Sequence, residues 1–384
     1  MEPLGQSQVL AYLKRLVDGR SIHLLSFEKA DDWANVAARE LIGKDLAGAG
    51  IVWHTLRYHK RPSALATAWD IACGIALGLW LVARYRLSIV HARSYVASVM
   101  ALALKRVTGV KYLFDMRGFW ADERVDGGLW TRNGRMFGAA KWFERKFLLE
   151  ADHVVSLTKA GISELQRFHY LQKRMPSVTV IPTCADLTRF KPALHDRSDG
   201  SFVLGYVGSV GTWYLFDEVA VCFVLLLCMK PDARLLIVNR GEHAYIRDRL
   251  AVAGVPDAAV ELTTATHAEM PTQMERMDAG VFFIKPVFSK QASAPTKLAE
   301  FLGCGIPCLG NAGVGDMGEV LEGEKVGAVL TSFEKPLMVS ALKRILQLVA
   351  DPATRGRCVA TAQRYFSLDE GASKYKAIYE SLDG

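Results

Sequence analysis

The chain predicts a two-domain α/β protein, with two doubly wound domains facing each other across a cleft. Short apolar runs alternate with longer helical stretches along the whole length, the pattern of parallel sheets with crossover helices. Each run ends where polar residues begin, and in parallel sheets the sites sit at the carboxyl ends of the strands. A linker-like stretch over 183–192, continued by polar residues to 200, splits the alternation into two halves of similar length. With 384 residues, 51% of them hydrophobic, the chain holds more apolar material than one core normally uses.

Residues 5–16 read as a loop and helix, and the first strand begins only at 21, with no strand ahead of it. Runs at 21–27, 86–90, 110–114, 153–157 and 178–182 follow as strands; three of them lead into His91, Asp115-Met-Arg-Gly118 and Thr158. The stretch 64–83 is largely apolar, but Asp70 and a run of small residues make it a poor membrane span, so it reads as a buried helix. Residues 133–149 interleave Arg135, Lys141, Arg145 and Lys146 with Phe137, Trp142, Phe143 and Phe147. Such a helix either lies on an anionic surface or packs its aromatics inward. Beyond the linker, runs at 202–207, 234–238, 279–284 and 306–309 restart the pattern. The first opens on Gly208-Ser-Val-Gly211, and Arg240 stands just past the second.

The most informative stretch is Ser293-Ala-Pro-Thr-Lys-Leu-Ala-Glu-Phe-Leu-Gly-Cys-Gly-Ile-Pro307, a short helix with two faces. Leu298, Phe301 and Leu302 share one side, while Thr296, Lys297 and Glu300 share the other. Pro295 suits the first helical position and Gly303 and Gly305 suit the stop, which leaves the first-turn N–H groups free to meet an anion. Lys297 adds a full positive charge there, and Glu300 can accept two hydroxyl hydrogen bonds. A phosphate and a ribose fit that pair; a capped surface helix with a Lys/Glu pair is the plainer alternative.

Charge is uneven: residues 1–190 hold 27 Lys and Arg against 17 Asp and Glu, whereas the remainder holds 20 against 23. The basic half should face a phosphorylated substrate or an anionic membrane surface. Nucleic acid is disfavoured, since no zinc-finger spacing, recognition-helix signature or aromatic-basic motif is present. Seven scattered cysteines without a Cys-x-x-Cys pair argue for a reducing compartment and against a disulfide framework or zinc site. No apolar signal core follows Met1, so the expected location is the cytoplasm.

Taken in order, Gly5-Gln-Ser-Gln8, Val90-His-Ala-Arg-Ser94, Phe114-Asp-Met-Arg-Gly-Phe-Trp-Ala-Asp-Glu123, Ala151-Asp152 before Ser156-Leu-Thr158, Ile181-Pro182 with Asp186 and Phe190, Gly205-Tyr-Val-Gly-Ser209, and the 293–307 helix resemble a bacterial glycosyltransferase of family 4. The resemblance covers nearly the whole chain. It implies a GT-B fold of two Rossmann-like domains: an acceptor-side domain over 1–190, a nucleotide-sugar-binding domain over 191–364, and a C-terminal helix over 365–384 crossing back to the first. It further implies a nucleoside diphosphate sugar as donor, no metal or other cofactor, retention of anomeric configuration, and a glycan or polyprenyl-linked acceptor in cell-surface polysaccharide synthesis at the inner face of the membrane. Donor-binding roles fall on Gly208, Ser209, Gly211, Arg240, Ser293, Thr296, Lys297 and Glu300, and catalytic roles on His91, Arg93, Arg117 and Glu123.

The chain departs from the family in four places. The glutamate eight positions before Glu300 is Ala292, the Arg/Lys pair after the Gly208 loop is replaced by Thr212-Trp-Tyr-Leu, Arg93 stands where many members carry a second histidine, and the strand that normally precedes Gly5 has no room, so that either the start is placed too late or the first domain lacks that strand. Two alternatives stay open: a sugar-nucleotide epimerase of the same architecture, or a catalytically silent subunit that binds a nucleotide sugar.

Overall fold

The computed structural model describes residues 5–192 and 201–383. The first domain contributes β1 (Ile22–Glu28), β2 (Ile51–Arg57), β3 (Ile89–Arg93), β4 (Lys111–Asp115), β5 (His153–Ser156) and β6 (Val178–Val180). The second contributes β7 (Val203–Val207), β8 (Arg234–Val238), β9 (Val260–Thr263), β10 (Ala279–Val281), β11 (Cys308–Asn311) and β12 (Gly327–Leu330). Every strand pairing is parallel, and helices connect the strands, as the alternating pattern predicts.

The second-domain sheet is continuous, in the order β12-β11-β10-β7-β8-β9. The first-domain sheet is not: β1 and β2 form one pair, and β3-β4-β5-β6 form a separate sheet. Among the described residues the first strand starts at Ile22, and β1 and β3 are not hydrogen-bonded to each other. Sequence reading overlooks β2, β9 and β12. In β2 the order Ile-Val-Trp-His-Thr-Leu-Arg has no continuous apolar run, and β9 and β12 are four-residue strands. The run at 279–284 is a strand only to Val281: the Phe282 N–H still donates to the Leu309 carbonyl at 3.1 Å, but at Ile284 the Asn311 side chain takes up both backbone groups, each at 2.8 Å.

The apolar helix Ser63–Tyr85 differs from the expected buried helix. Leu65, Trp69 and Trp80 are more than half exposed, and the helix is long and apolar enough to cross a membrane. Its small residues serve packing instead: a Cβ added at Gly74 would fall 2.2 Å from the Met100 sulfur, and one at Gly78 2.8 Å from Leu104, so they let helix Ser94–Thr108 approach closely. Asp70 is buried and accepts from both the backbone and the ring of His59, at 2.9 and 2.6 Å. Helix Arg135–Glu150 is also mixed, with Phe147 fully buried and Trp142 and Met136 exposed.

The final helix, Leu368–Asp383, leaves the second domain and lies on the first. Tyr375, Ile378, Tyr379 and Leu382 share a core there with Tyr12, Leu16, Leu113 and Ile181.

Candidate functional site

In the second domain the sequence-predicted residues meet at the carboxyl end of β7. Gly208 follows β7 with φ +109°, a conformation that favours glycine, and a Cβ there would lie 3.1 Å from Lys297 Nζ. The loop is held from β8's end: Asn239 donates to the Gly208 carbonyl and to Glu242, both at 2.9 Å, and Glu242 accepts from the Val210 N–H at 3.1 Å. The Ser209 carbonyl accepts from the Tyr206 hydroxyl at 2.6 Å. Gly211 closes the turn beside Glu242. The loop is therefore pre-formed, with glycine where backbone must come close to a ligand.

Facing it is helix Thr296–Gly303, which starts one residue later than expected, with Pro295 just outside. No side chain among the described residues caps its first turn; the Leu298 N–H donates to the Pro295 carbonyl at 3.1 Å, and the N–H groups of Thr296 and Lys297 remain to meet an anion. Leu298, Phe301 and Leu302 are buried as predicted, and so are Lys297 and Glu300 on the opposite face. Lys297 is 7% exposed, and its ammonium has no hydrogen-bond partner among the described residues; it rests 4.0 Å from the Tyr214 ring centre, with Tyr206 and Phe282 beyond. A buried cation without an anion is costly unless a ligand supplies one. Burial pushes the Glu300 carboxyl up to about 7, although Lys297 and Arg189 partly oppose the rise.

Three further donor-side residues lie around this pair. Thr296 is the first helical residue and half-buried, and the Ser293 N–H donates to the Lys290 carbonyl at 3.2 Å, so Ser293 serves the turn that leads into the helix. Arg240 donates to the Ala265 carbonyl at 3.2 Å, and its charge, with that of Arg189, adds to burial in lowering the pKa of His267. Arg189, Asn239 and Glu242 are not singled out by the sequence reading, and Tyr206 and Tyr214 enter it only within the 205–209 and 212–215 stretches. Of these, only Asn239 and Glu242 carried a usable signal, as polar residues directly after an apolar run.

Across from this site, His91, Arg93 and Arg117 converge on the fully buried Asp115. Arg93 donates to Asp115 at 3.1 Å, as does the Tyr375 hydroxyl, also at 3.1 Å. His91 Nε2 stands 3.8 Å away, beyond hydrogen-bond reach, while its Nδ1 contacts the Tyr379 hydroxyl at 2.8 Å. Burial alone would raise the Asp115 carboxyl, but Arg117, His91 and Arg93 together hold it well below the usual carboxylate range. Arg117 has φ +59° and reaches Thr183 at 3.4 Å. Glu123 does not join this group; it forms an ion pair at 2.7 Å with Lys290 of the second domain.

That pair belongs to a latch between the domains. The turn Phe288–Ala292 stacks Phe288 on Phe119, the Ser289 N–H donates to Asp126 at 3.0 Å, and Thr158 donates to the Gln291 carbonyl at 2.6 Å. Ala292 is fully buried in the first-domain core, its Cβ 3.0 Å from where a Cβ on Gly161 would lie and its carbonyl 3.4 Å from one on Gly118. A glutamate has no room there, which is the physical reason for that departure.

Two Rossmann-like domains, with a glycine loop, a helix start and a buried cation at one sheet's carboxyl end, make up a GT-B fold. Residues 21–184 match the family described as Glycosyl transferase 4-like domain. No curated protein sequence matches it. Among solved structures it resembles sucrose-phosphate synthase from Thermosynechococcus elongatus (17% identity, TM-score 0.67, covering 94% of this chain and 98% of that one). It also resembles a glycosyltransferase from Rickettsia africae (12%, 0.65, 94% and 99%) and Anabaena HepE solved with UDP and glucose (14%, 0.64, 95% and 99%).

Proposed function

We propose that the enzyme transfers a hexose-type sugar from a nucleoside diphosphate donor to a glycan or polyprenyl-linked acceptor, with retention and without a metal, in cell-surface polysaccharide synthesis. The observation that carries the donor is Lys297, a buried ammonium with no partner among the described residues, set between the Gly208 loop and a free helix start. The diphosphate gains charge as the glycosidic bond breaks, and fixed N–H groups with a buried cation stabilise that charge most when little water is present. Glu300, one turn along, accepts the ribose hydroxyls. The Anabaena relative was solved with UDP and glucose, which supports a uridine nucleotide as the first donor to try. Arg117 and the His91–Arg93–Asp115 group face the acceptor in this reading.

A panel of nucleotide sugars screened by thermal shift, followed by product detection on polyprenyl-phosphate-linked glycans, tests it. Stabilisation by one nucleotide family with a product is expected. Stabilisation without any product would favour the silent-subunit reading, to which Ala292 lends support, and absence of both would end the donor assignment.

We further propose peripheral attachment to the anionic inner membrane face through the first domain. Its basic excess and the exposed Trp69, Trp80 and Trp142 support this. Each Lys or Arg near such a surface adds on the order of 1 kcal/mol, screened beyond about 10 Å at ~0.1 M salt. Flotation with anionic liposomes should succeed at low salt and weaken at high salt; binding indifferent to salt would count against the electrostatic mechanism.

A further inference from the structure

The donor loop and the latch between the domains meet at one dipeptide, Trp213-Tyr214, in a stretch where the chain departs from the family it resembles. Past Gly211 the chain turns at Thr212, held at φ +49°, a left-handed conformation that is costly for a β-branched residue. Residues 213–215 then run antiparallel to the chain that follows β10. The Lys285 N–H donates to the Trp213 carbonyl at 2.9 Å, Tyr214 bridges Ile284, and the Leu215 N–H donates to the Phe283 carbonyl at 3.0 Å. Neighbouring side chains on an extended segment point to opposite sides. Tyr214 accordingly faces the donor site, where the Lys297 ammonium lies 4.0 Å from its ring centre, and Trp213 faces the first domain.

A Cβ on Gly127 would lie 3.0 Å from the Trp213 ring, so the absence of a side chain there lets the indole come against the end of helix Trp120–Asp126. Lys290 holds its ammonium 3.8 Å from the centre of that ring and pairs with Glu123 at 2.7 Å. Lys290 is itself buried, so both interactions act with little screening by water. Two cations thus rest on two adjacent rings. Lys290 takes its anion from the other domain, whereas Lys297 has no partner among the described residues. The groups that fix the backbone of the loop, Asn239, Glu242, Phe283 and Lys285, all belong to the second domain. The Trp213 side chain is therefore not what forms the phosphate-facing turn; what it adds is a hold on the first domain.

We infer that Trp213 and Lys290 are positioning residues that lock the donor loop to helix Trp120–Asp126, setting the alignment of the two domains for transfer while leaving affinity for the nucleotide unchanged. The consequence for turnover rests on the donor reading given above; the lock itself rests on the contacts between the domains. Glu123 serves it as the anchor of Lys290. A misplacement of about 1 Å between reacting groups lowers a rate by roughly a hundred-fold, so a slight loosening of the lock is enough to be seen.

The test compares Trp213→Ala, Trp213→Phe and Lys290→Met with the parent by hydrogen exchange, by titration with UDP, and by turnover with the sugar nucleotide and acceptor that give product. Peptides covering Trp120–Asp126 and Phe288–Ala292 should exchange about ten-fold faster or more in Trp213→Ala and Lys290→Met, while Val203–Val207 keeps the parent rate. UDP affinity should stay within about two-fold of the parent, and turnover should fall by about ten- to a hundred-fold. Trp213→Phe, which keeps a ring under the ammonium, should recover most of the turnover. Glu123→Gln added to Lys290→Met should cost no more than Lys290→Met alone, since both break one pair. Parent-like exchange in Trp213→Ala and Lys290→Met would overturn the lock. UDP affinity falling in step with turnover would place Trp213 in the donor pocket and overturn the inference equally. A parent that does not bind UDP would remove the uridine donor, and exchange would then decide the lock by itself. If Trp213→Ala fails to fold, Lys290→Met, which keeps the side-chain stem, carries the decision.

Discussion

The two domains use the same parallel α/β plan but complete it to different degrees. In the second, the central strand β7 is flanked by β10 and β8 and all five of its residues are buried. In the first, β1 has a neighbour on one side only, and of its seven residues only Glu28 is buried although Ile22, Leu24, Leu25 and Phe27 are apolar. Hydrophobic pattern alone does not bury a strand; it needs both lateral partners before the covering helices can close on it. The donor-side residues accordingly rest on a finished scaffold, and the His91–Arg93 side rests on the rim of a gap.

Backbone exchange gives the largest expected contrast. Amides of Val203–Val207 should exchange roughly a thousand-fold more slowly than those of Ile22–Glu28 in the 384-residue chain, since the difference tracks local opening free energy. Equal rates would mean that the first-domain sheet closes on itself in solution and that the contrast is unreal.

Lys297→Met should come next. It keeps the stem among Tyr214, Tyr206 and Phe282 but removes the ammonium, so donor affinity should drop by about a hundred-fold, the loss of one or two charge-assisted bonds. The unliganded protein should melt no lower than the parent, because the buried cation has no partner to lose. A matching collapse of stability would make Lys297 a structural residue.

Glu300→Gln sharpens the comparison further, with an expected ten- to hundred-fold loss of donor affinity, whereas Arg117→Ala in the first domain should leave donor affinity unchanged and lower turnover with acceptor. Because the Glu300 carboxyl sits near 7, parent affinity for an intact sugar nucleotide should rise as pH passes upward through 7, and the Gln variant should lose that rise. The stability sign is opposite. A carboxyl whose folded pKa lies above its unfolded value binds more protons when folded, so stability falls as pH climbs from about 4.5 to 7. Glu300→Gln should therefore stabilise the unliganded enzyme above pH 7, by about 2–3 kcal/mol. Calorimetric titration and melting curves at pH 6 and 8 check both.

Local pattern revealed the parts of the site that are local. The 293–307 helix was legible because Lys297 and Glu300 break an apolar face, and the Gly208 loop because glycines follow a buried strand. Residues that act from a distance left little trace: Arg189, bonded to the His267 carbonyl at 2.9 Å, acts on Glu300 through its charge, and Tyr214 lies against Lys297 from the turn after β7. Glu123 misled because it follows a first-domain strand, yet its charge is held by Lys290, 167 positions away. The exposed side of Ser63–Tyr85 was misjudged for the same reason, since composition shows which residues are apolar but not which of them find a neighbour. The start of the first described strand was legible, since the apolar run at 21–27 contains β1 at Ile22–Glu28 but for its last residue.

The helix Leu368–Asp383 has a consequence for the order in which the molecule is made. Tyr375, Tyr379 and Leu382 complete the core formed by Tyr12, Leu16 and Leu113, so residues made early wait for residues made more than three hundred positions later. At ~5–20 residues per second, the nearly two hundred residues between β6 and that helix take about 10–40 s to synthesise. Throughout that interval the nascent first domain carries an uncovered apolar face. The described strands of the second domain all precede that helix, so they are synthesised before the first domain's core is sealed, and a chain broken off before Leu368 leaves its damage around Tyr12 and Leu16.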